Sequence, residues 1–135
     1  MTTTTEKMFD YLPDTNVFSQ IFKGNLGVQT FVENLDSVIC PTVYVECIQG
    51  SKSNQEKRRI KKYLATFGML HFYPVISQRI MDLIDAYSNT DGLMLGDAQI
   101  AAVCLENDLT LLTYNVKDFL FIAGLKITAP PFPTI

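Results

Sequence analysis

The sequence has little of several residues on which whole classes of protein depend. It contains no tryptophan, one histidine and three cysteines in 135 residues. The cysteines, Cys40, Cys47 and Cys104, are odd in number and far apart, with no Cys-x-x-Cys or Cys/His pairing, which argues against a zinc site and a disulfide framework. We expect reduced thiols in the core of a cytoplasmic protein. The lone His71 excludes catalysis by a histidine pair, and its apolar neighbours favour a structural role.

Long apolar runs and an excess of basic charge are also missing. No run approaches the ~20 apolar residues needed to span a bilayer, and the opening Met-Thr-Thr-Thr-Thr-Glu-Lys lacks the apolar segment of a signal peptide. The net charge is −3, so any nucleic-acid contact has to rest on a local basic patch. With 47% hydrophobic and 19% charged residues, the composition predicts one domain over residues 1–135, with a flexible tail at 1–7 and a proline-rich tail at 129–135.

Short apolar runs alternate with helical periods along the chain. Strands are predicted at residues 8–12, 37–40, 70–75, 110–113 and 125–128. Helices are predicted at residues 17–22, 28–35, 42–50 with Thr42 as N-cap, 54–67, 77–87 and 96–106. Strands separated by helices imply right-handed crossovers, a mostly parallel sheet and helices on both of its faces. The last helix, rich in small residues, is expected to lie close against the sheet.

Acidic residues recur next to the predicted strands. Asp14 follows the first strand, Glu46 lies one turn inside the helix after the second, and Asp97 begins the helix before the fourth. Because sites in parallel α/β sheets form at the carboxyl ends of strands, these side chains can converge on one edge. Asn115 and Asp118 follow the fourth strand, and the residue that completes the cluster stays open between them.

Clustered carboxylates indicate a cation. Two like charges 4 Å apart repel by ~4 kcal/mol at an effective dielectric of 20, and the motifs contain no Lys, Arg or His to offset this. Carboxylate oxygens select Mg²⁺ or Mn²⁺ over zinc, and such an ion can activate water and stabilise charge on a phosphoryl group. The pattern predicts metal-assisted phosphodiester hydrolysis. Taken singly, Asp14 and Asp118 could be caps, Asp97 a first-turn acid favoured by the helix dipole, and Glu46 a solvated side chain.

Four segments in order resemble the motifs of the PIN-domain family, and especially its VapC-type toxins of toxin–antitoxin pairs. They are Tyr-Leu-Pro-Asp14-Thr-Asn16-Val, Val-Tyr-Val-Glu46-Cys-Ile-Gln-Gly, Leu-Gly96-Asp97-Ala-Gln-Ile-Ala-Ala and Leu-Thr-Leu-Leu-Thr113-Tyr-Asn115-Val-Lys-Asp118-Phe. The likeness runs from about residue 10 to 127. It implies a three-layer α/β/α fold with a five-stranded sheet in the order 3-2-1-4-5.

The same resemblance implies a Mg²⁺- or Mn²⁺-dependent endoribonuclease, often acting on structured RNA such as tRNA. It also implies a homodimer that is blocked by a small antitoxin protein. Carried over by position, the metal ligands would be Asp14, Glu46 and Asp97, with Asn16 and Thr113 as hydrogen-bonding support. Many relatives have an acid where this chain has Asn115, whereas others have Asn followed by Asp three residues on, as here with Asp118.

One dense basic run occurs, at residues 57–62. On a helix its cations fall within an arc of roughly 140°, opposite Ile60 and Leu64; they are Lys57, Arg58, Lys61 and Lys62. This basic face suits contact with an RNA backbone, and it equally suits a solvated surface that keeps the protein soluble.

Three other classes compete with this interpretation. A receiver-like signalling domain would need an acceptor Asp after the third strand, where the chain has Ile76 and Ser77. A HAD-like phosphatase would need an acid two residues after Asp14, where Asn16 stands. A catalytically inactive PIN-like module that binds RNA or protein would be favoured by loss of Asp14, Glu46 or Asp97, and none is lost.

Overall fold

The computed structural model describes residues 9–135. The strands are β1 (Tyr11–Pro13), β2 (Val38–Ile39), β3 (Gly68–Met69), β4 (Thr110–Leu112) and β5 (Lys126–Thr128). The helices are α1 (Thr15–Phe22), α2 (Leu26–Glu33), α3 (Pro41–Gln49), α4 (Asn54–Leu64), α5 (Pro74–Asp91) and α6 (Leu95–Asn107). A short 3-10 helix, Val116–Asp118, follows β4. The predicted tail at 1–7 and the first residue of the strand predicted at 8–12 lie outside the described residues.

The strands form two parallel sheets, one of three strands and one of two, joined by one bridge. β4 lies between β1 and β5, with Leu12 opposite Leu111 and Leu111 opposite Ile127. β2 pairs with β3, and a single parallel bridge between Tyr11 and Ser37 connects β2 to β1. Joined in this way, the strands follow one another as β3-β2-β1-β4-β5. The sequence predicts one continuous sheet, whereas the ladder is interrupted between β2 and β1.

Pro13 lies within β1 without removing a bond from the β1–β4 ladder. The Tyr11 N–H donates to Asp36 O at 3.1 Å, on the β2 side, and the Asp14 N–H donates to Leu112 O at 2.8 Å, on the β4 side. Since successive amides of a strand point to opposite neighbours, the Pro13 nitrogen faces β2, where the pairing has already ended. The proline therefore limits the β1–β2 contact and leaves β1–β4 intact.

The third strand lies earlier in the chain than the sequence predicts. The predicted range is 70–75, but β3 is Gly68–Met69 and α5 already begins at Pro74. Proline favours the first helical turn because its missing N–H would have no helical partner there. The apolar run before it is consequently a connection, and His71 is an exposed residue of that connection rather than of a strand.

Several helix boundaries also differ from the predictions, and the start of α3 and the end of α4 have local causes. Thr42 is not the N-cap of α3, because Pro41 occupies the first turn and Cys40 the N-cap position. The Thr42 hydroxyl instead donates to Gln99 Oε1 at 2.7 Å and so ties α3 to α6. α4 ends at Leu64, three residues before the predicted end, because the next residues turn towards β3.

α6 supplies much of the buried core. Its buried residues are Ala98, Ile100, Ala101, Ala102, Val103 and Cys104, which confirms the prediction of a closely packed helix. The three cysteines are buried and free, as predicted for core thiols. In the part of the chain that the structure describes, no helix combines the length and the apolar character that crossing a bilayer requires.

The proline-rich tail at 129–135 lies along α1 and α2. The Ile135 N–H donates to Gln20 Oε1 at 2.7 Å, and Asn25 Nδ2 donates to Pro133 O at 3.0 Å. The Phe132 ring packs edge-on against Phe31, with ring centroids 6.0 Å apart. Specific contacts thus hold the tail in place.

Candidate functional site

Asp14 lies where β1 ends and α1 begins. Its carboxylate caps α1 by accepting from the Thr15 N–H at 2.8 Å, and the residue is only 6% exposed. Burial raises the pKa of Asp14. The Thr113 hydroxyl and the Thr15 amide lower this pKa, whereas the charges of Glu46 and Asp118 raise it further.

Thr113 joins the carboxyl ends of β1 and β4. Its buried hydroxyl donates to Asp14 Oδ2 at 2.9 Å and accepts from Asn16 Nδ2 at 3.0 Å and from the Asn115 N–H at 3.1 Å. Asn16 Oδ1 in turn accepts from the Tyr114 N–H at 3.1 Å. A hydroxyl has one donor and two acceptor sites, so Thr113 is fully satisfied. The network fixes the Asp14 carboxylate relative to the loop after β4.

Glu46 reaches the same region from α3. The Thr15 hydroxyl donates to Glu46 Oε1 at 2.5 Å. On the other side, a Cβ added to Gly96 would lie 3.2 Å from Glu46 Oε2. The lack of a side chain at Gly96 therefore lets the first turn of α6 come close to this carboxylate.

Asp97 occupies that first turn of α6, where the helix dipole favours a negative charge. Its pKa is nevertheless raised to about 6, chiefly by burial and then by the charges of Asp14, Asp118 and Glu46. The carboxylates thus repel one another, and protonation or a bound cation would relieve that repulsion.

One surface pocket, here called the acid pocket, collects the three predicted metal ligands. It has a volume of about 340 Å³ and is lined by Asp14, Thr15, Asn16, Ser19, Glu46, Asp97 and Asn115. No lining residue is basic. Asp118 lines an adjoining pocket with Lys117, and Asp97 is common to both pockets. The structure therefore places Asn115 on the acid pocket and Asp118 beside it.

The donor set of the acid pocket fits a partly hydrated, hard cation. Among residues 9–135, no three Asp, Glu, His or Cys side chains are close enough together to hold one ion. Mg²⁺ tolerates this arrangement because it keeps several waters and binds through one or two carboxylates plus substrate phosphates. Carboxylate oxygens equally suit Mn²⁺, and they suit a tetrahedral zinc site poorly.

A second pocket, here called the basic pocket, shares a wall with the acid pocket. Its volume is about 280 Å³, and Thr15, Ser19 and Glu46 line both pockets. It adds three cations, Lys23, Lys52 and Arg59. Sequence reasoning missed the two lysines because isolated lysines give no signal before the fold brings them together. Arg59 belongs to the basic run but lies outside the predicted basic face.

The predicted basic face occupies another side of α4. Ile60 and Leu64 are buried, as the helical period predicts. The four cations of the face are absent from the described linings of the acid and basic pockets; they are Lys57, Arg58, Lys61 and Lys62. Contact between this face and RNA stays a prediction.

Parallel strands separated by helices, with carboxylate and amide side chains gathered beside their carboxyl ends, define an α/β protein with a candidate metal centre. The sequence model of the PIN domain family matches residues 11–124. The chain therefore belongs to the PIN domain family.

Individual proteins agree with that assignment. Ribonuclease VapC1 of Rickettsia felis is 30% identical over 126 residues, covering 84% of this chain and 91% of that protein. A toxin–antitoxin complex from Klebsiella pneumoniae contains a chain that matches with a TM-score of 0.75 and 28% identity, covering 90% of this chain and 98% of that one. The VapBC-1 structure from nontypeable Haemophilus influenzae matches with a TM-score of 0.74 and 24% identity, covering 88% and 96%. The predicted fold class is thereby confirmed.

Proposed function

We propose that this chain is a metal-dependent endoribonuclease and the toxin of a toxin–antitoxin pair. Membership of the PIN domain family and the likeness to Ribonuclease VapC1 support the first part. The likeness to a chain of a toxin–antitoxin complex supports the second. The observation that carries the chemistry is the acid pocket, where Asp14, Glu46 and Asp97 meet without a basic residue.

One or two of the three carboxylates would bind Mg²⁺ or Mn²⁺ directly, and the others would contact the waters that the ion keeps. When bound, the ion supplies an activated water and stabilises the negative charge that develops on the phosphoryl group. The hard oxygen donors support this assignment. The raised pKa values of Asp14 and Asp97 also support it, because burial and then the neighbouring carboxylates disfavour the ionised forms that a bound cation would stabilise.

The surrounding side chains would orient these ligands. Thr113 and Asn16 hold Asp14 at the end of β1, and Thr15 holds Glu46. A bound cation would favour the ionised form of Asp97, which burial and the neighbouring carboxylates disfavour. Asn115 lines the pocket and would be available to hydrogen-bond the substrate. Asp118 acts through its charge on Asp97 rather than as a ligand.

The proposed partners are an RNA substrate, a small antitoxin protein and a second copy of the chain. The basic face of α4 would contact the RNA backbone outside the pockets. Exposed apolar side chains beside the acid pocket support a protein partner: Val45 and Leu95 are 48% and 59% exposed and share a surface cavity with Glu46.

Metal dependence of cleavage tests the proposal. The purified chain is incubated with RNA in EDTA, in Mg²⁺ and in Mn²⁺, and the products are separated on a denaturing gel. We expect cuts with either metal, none in EDTA, and recovery when metal is added back. Equal cleavage in EDTA would contradict a metal-dependent enzyme. Binding of RNA without cleavage in any condition would favour the inactive binding module.

A further inference from the structure

The basic pocket is lined by more cations than carboxylates, and its cations form no ion pair with the described residues. Among residues 9–135, the ion pairs are Arg79–Glu106 and Lys126–Asp108, so Lys23, Lys52 and Arg59 have no carboxylate partner there. Arg59 Nη2 donates a hydrogen bond to Phe22 O at 3.4 Å, which uses one of the five guanidinium donors. The remaining donors are available to a ligand.

The charge balance of the two pockets is opposite although they share a wall. The basic pocket is lined by three cations and by Glu46 and Glu56. The acid pocket is lined by three carboxylates and no cation. An anion that extends from the metal centre across Thr15 and Ser19 therefore meets favourable charge in the basic pocket, and the Ser19 hydroxyl can donate to it.

We propose that the basic pocket is the subsite for the RNA backbone phosphate next to the scissile bond. This inference rests on the proposed function, because it takes the acid pocket as the place where the bond is cut. A guanidinium recognises phosphate through two parallel hydrogen bonds, and lysines add mobile point charges. The three cations line the pocket that the phosphate would occupy, and the wall shared with the acid pocket places this pocket next to the candidate metal centre.

This subsite is distinct from the basic face of α4. At 100° per residue, Arg59 points about 130° away from the centre of the arc formed by Lys57, Arg58, Lys61 and Lys62. Substitutions that weaken RNA binding in the basic pocket would consequently differ from those that weaken RNA binding on the basic face.

The test uses Lys23→Gln, Lys52→Gln and Arg59→Gln in the full chain. The probe is a short single-stranded oligoribonucleotide cleaved in Mn²⁺ over a series of salt concentrations. We expect KM to rise about tenfold in each variant, the scale of a lost charged hydrogen bond, with kcat unchanged. The slope of log(kcat/KM) against log salt should become shallower by about 0.7 for each lost phosphate contact.

Lys126→Gln is the matched control, because Lys126 is exposed, bonds to Asp108 at 2.7 Å on β5 and lines neither pocket. Unchanged KM and slope in the three variants, or an equal loss in Lys126→Gln, would overturn the subsite. RNA affinity is measured in parallel by fluorescence anisotropy. A protein that never cleaves RNA but loses affinity in the three variants, and not in the control, would contradict the proposed function while showing that the basic pocket binds the RNA backbone.

Discussion

The Thr113 hydroxyl lies 2.9 Å from Asp14 Oδ2 and joins two strand ends that are 99 positions apart in the chain. The hydroxyl donates a hydrogen bond to the Asp14 carboxylate, and it accepts hydrogen bonds from Asn16 Nδ2 and from the Asn115 N–H in the loop after β4. One buried side chain thus couples the stability of the β1–β4 edge to the ionisation of the candidate metal ligand.

Thr113→Val should remove this coupling between the stability of the β1–β4 edge and the ionisation of Asp14. Loss of the bond leaves buried polar groups unsatisfied, which should lower the free energy of unfolding by about 1–3 kcal/mol. The pKa of Asp14 should rise further, because the Thr113 hydroxyl lowers it. Urea unfolding and the pH dependence of Mn²⁺ binding measure the two effects. Thr113→Ser is the control that keeps the hydroxyl, and equal behaviour of the two variants would contradict this role.

Asp97 should make the metal-free protein less stable as the pH rises. Its pKa is 3.8 when unperturbed and about 6 in the fold, so between these values the folded state binds more protons than the unfolded state. The free energy of unfolding therefore falls with increasing pH across this window. Urea unfolding in EDTA should show a shallower fall for Asp97→Asn than for the unmodified chain. Identical slopes would show that Asp97 has no raised pKa.

Gly96→Ala should lower the activity without lowering the stability. The new Cβ would lie 3.2 Å from Glu46 Oε2, so the carboxylate has to move by a few tenths of an ångström. Alanine also favours a helix over glycine by up to ~1 kcal/mol. We expect an equal or higher melting temperature and a kcat lower by about threefold to tenfold, because small misplacements of catalytic groups are costly. A lower melting temperature with unchanged kcat would contradict the close approach of α6 to Glu46.

Gln20 should anchor the proline-rich tail. It is buried on α1 and accepts from both the Ile135 N–H and Asn25 Nδ2. Gln20→Leu should lower the free energy of unfolding by about 1–3 kcal/mol, since these donors lose their acceptor. Gln29→Leu on α2 is the control, because the bond of Gln29 to Glu33 is exposed and should contribute less than ~0.5 kcal/mol. Equal effects in urea unfolding would show that the tail contacts add no stability.

The sequence predicted the convergence of the acids because position along a parallel fold determines it. Asp14 directly follows β1, and Asp97 lies in the first turn of the helix before β4. The choice between Asn115 and Asp118 could not be made, because the 3-10 helix at Val116–Asp118 decides which of them faces the acid pocket. A turn of three residues is too short to produce a periodic pattern in the sequence.

Other failures have similar local causes. The apolar run before Pro74 has the composition of a strand, but the proline begins a helix and the paired residues precede that run. The basic pocket depends on tertiary contact between α1, α3 and α4, which brings together Lys23, Lys52 and Arg59 from separate segments. A dense run such as 57–62 gives a visible sequence signal, whereas dispersed cations do not.

The most direct measurement of the central claim compares isosteric substitutions of aspartates for RNA cleavage in Mn²⁺. Asp14→Asn and Asp97→Asn remove charge from the acid pocket, whereas Asp82→Asn makes the same change at an exposed residue of α5 that bonds to Gln78. We predict that the first two lower kcat by about a hundredfold or more, since a bound metal contributes several kcal/mol to the transition state. Circular dichroism should show all three folded and Asp82→Asn fully active. Cleavage that persists undiminished in Asp14→Asn and Asp97→Asn would contradict the assignment of the acid pocket as the catalytic centre.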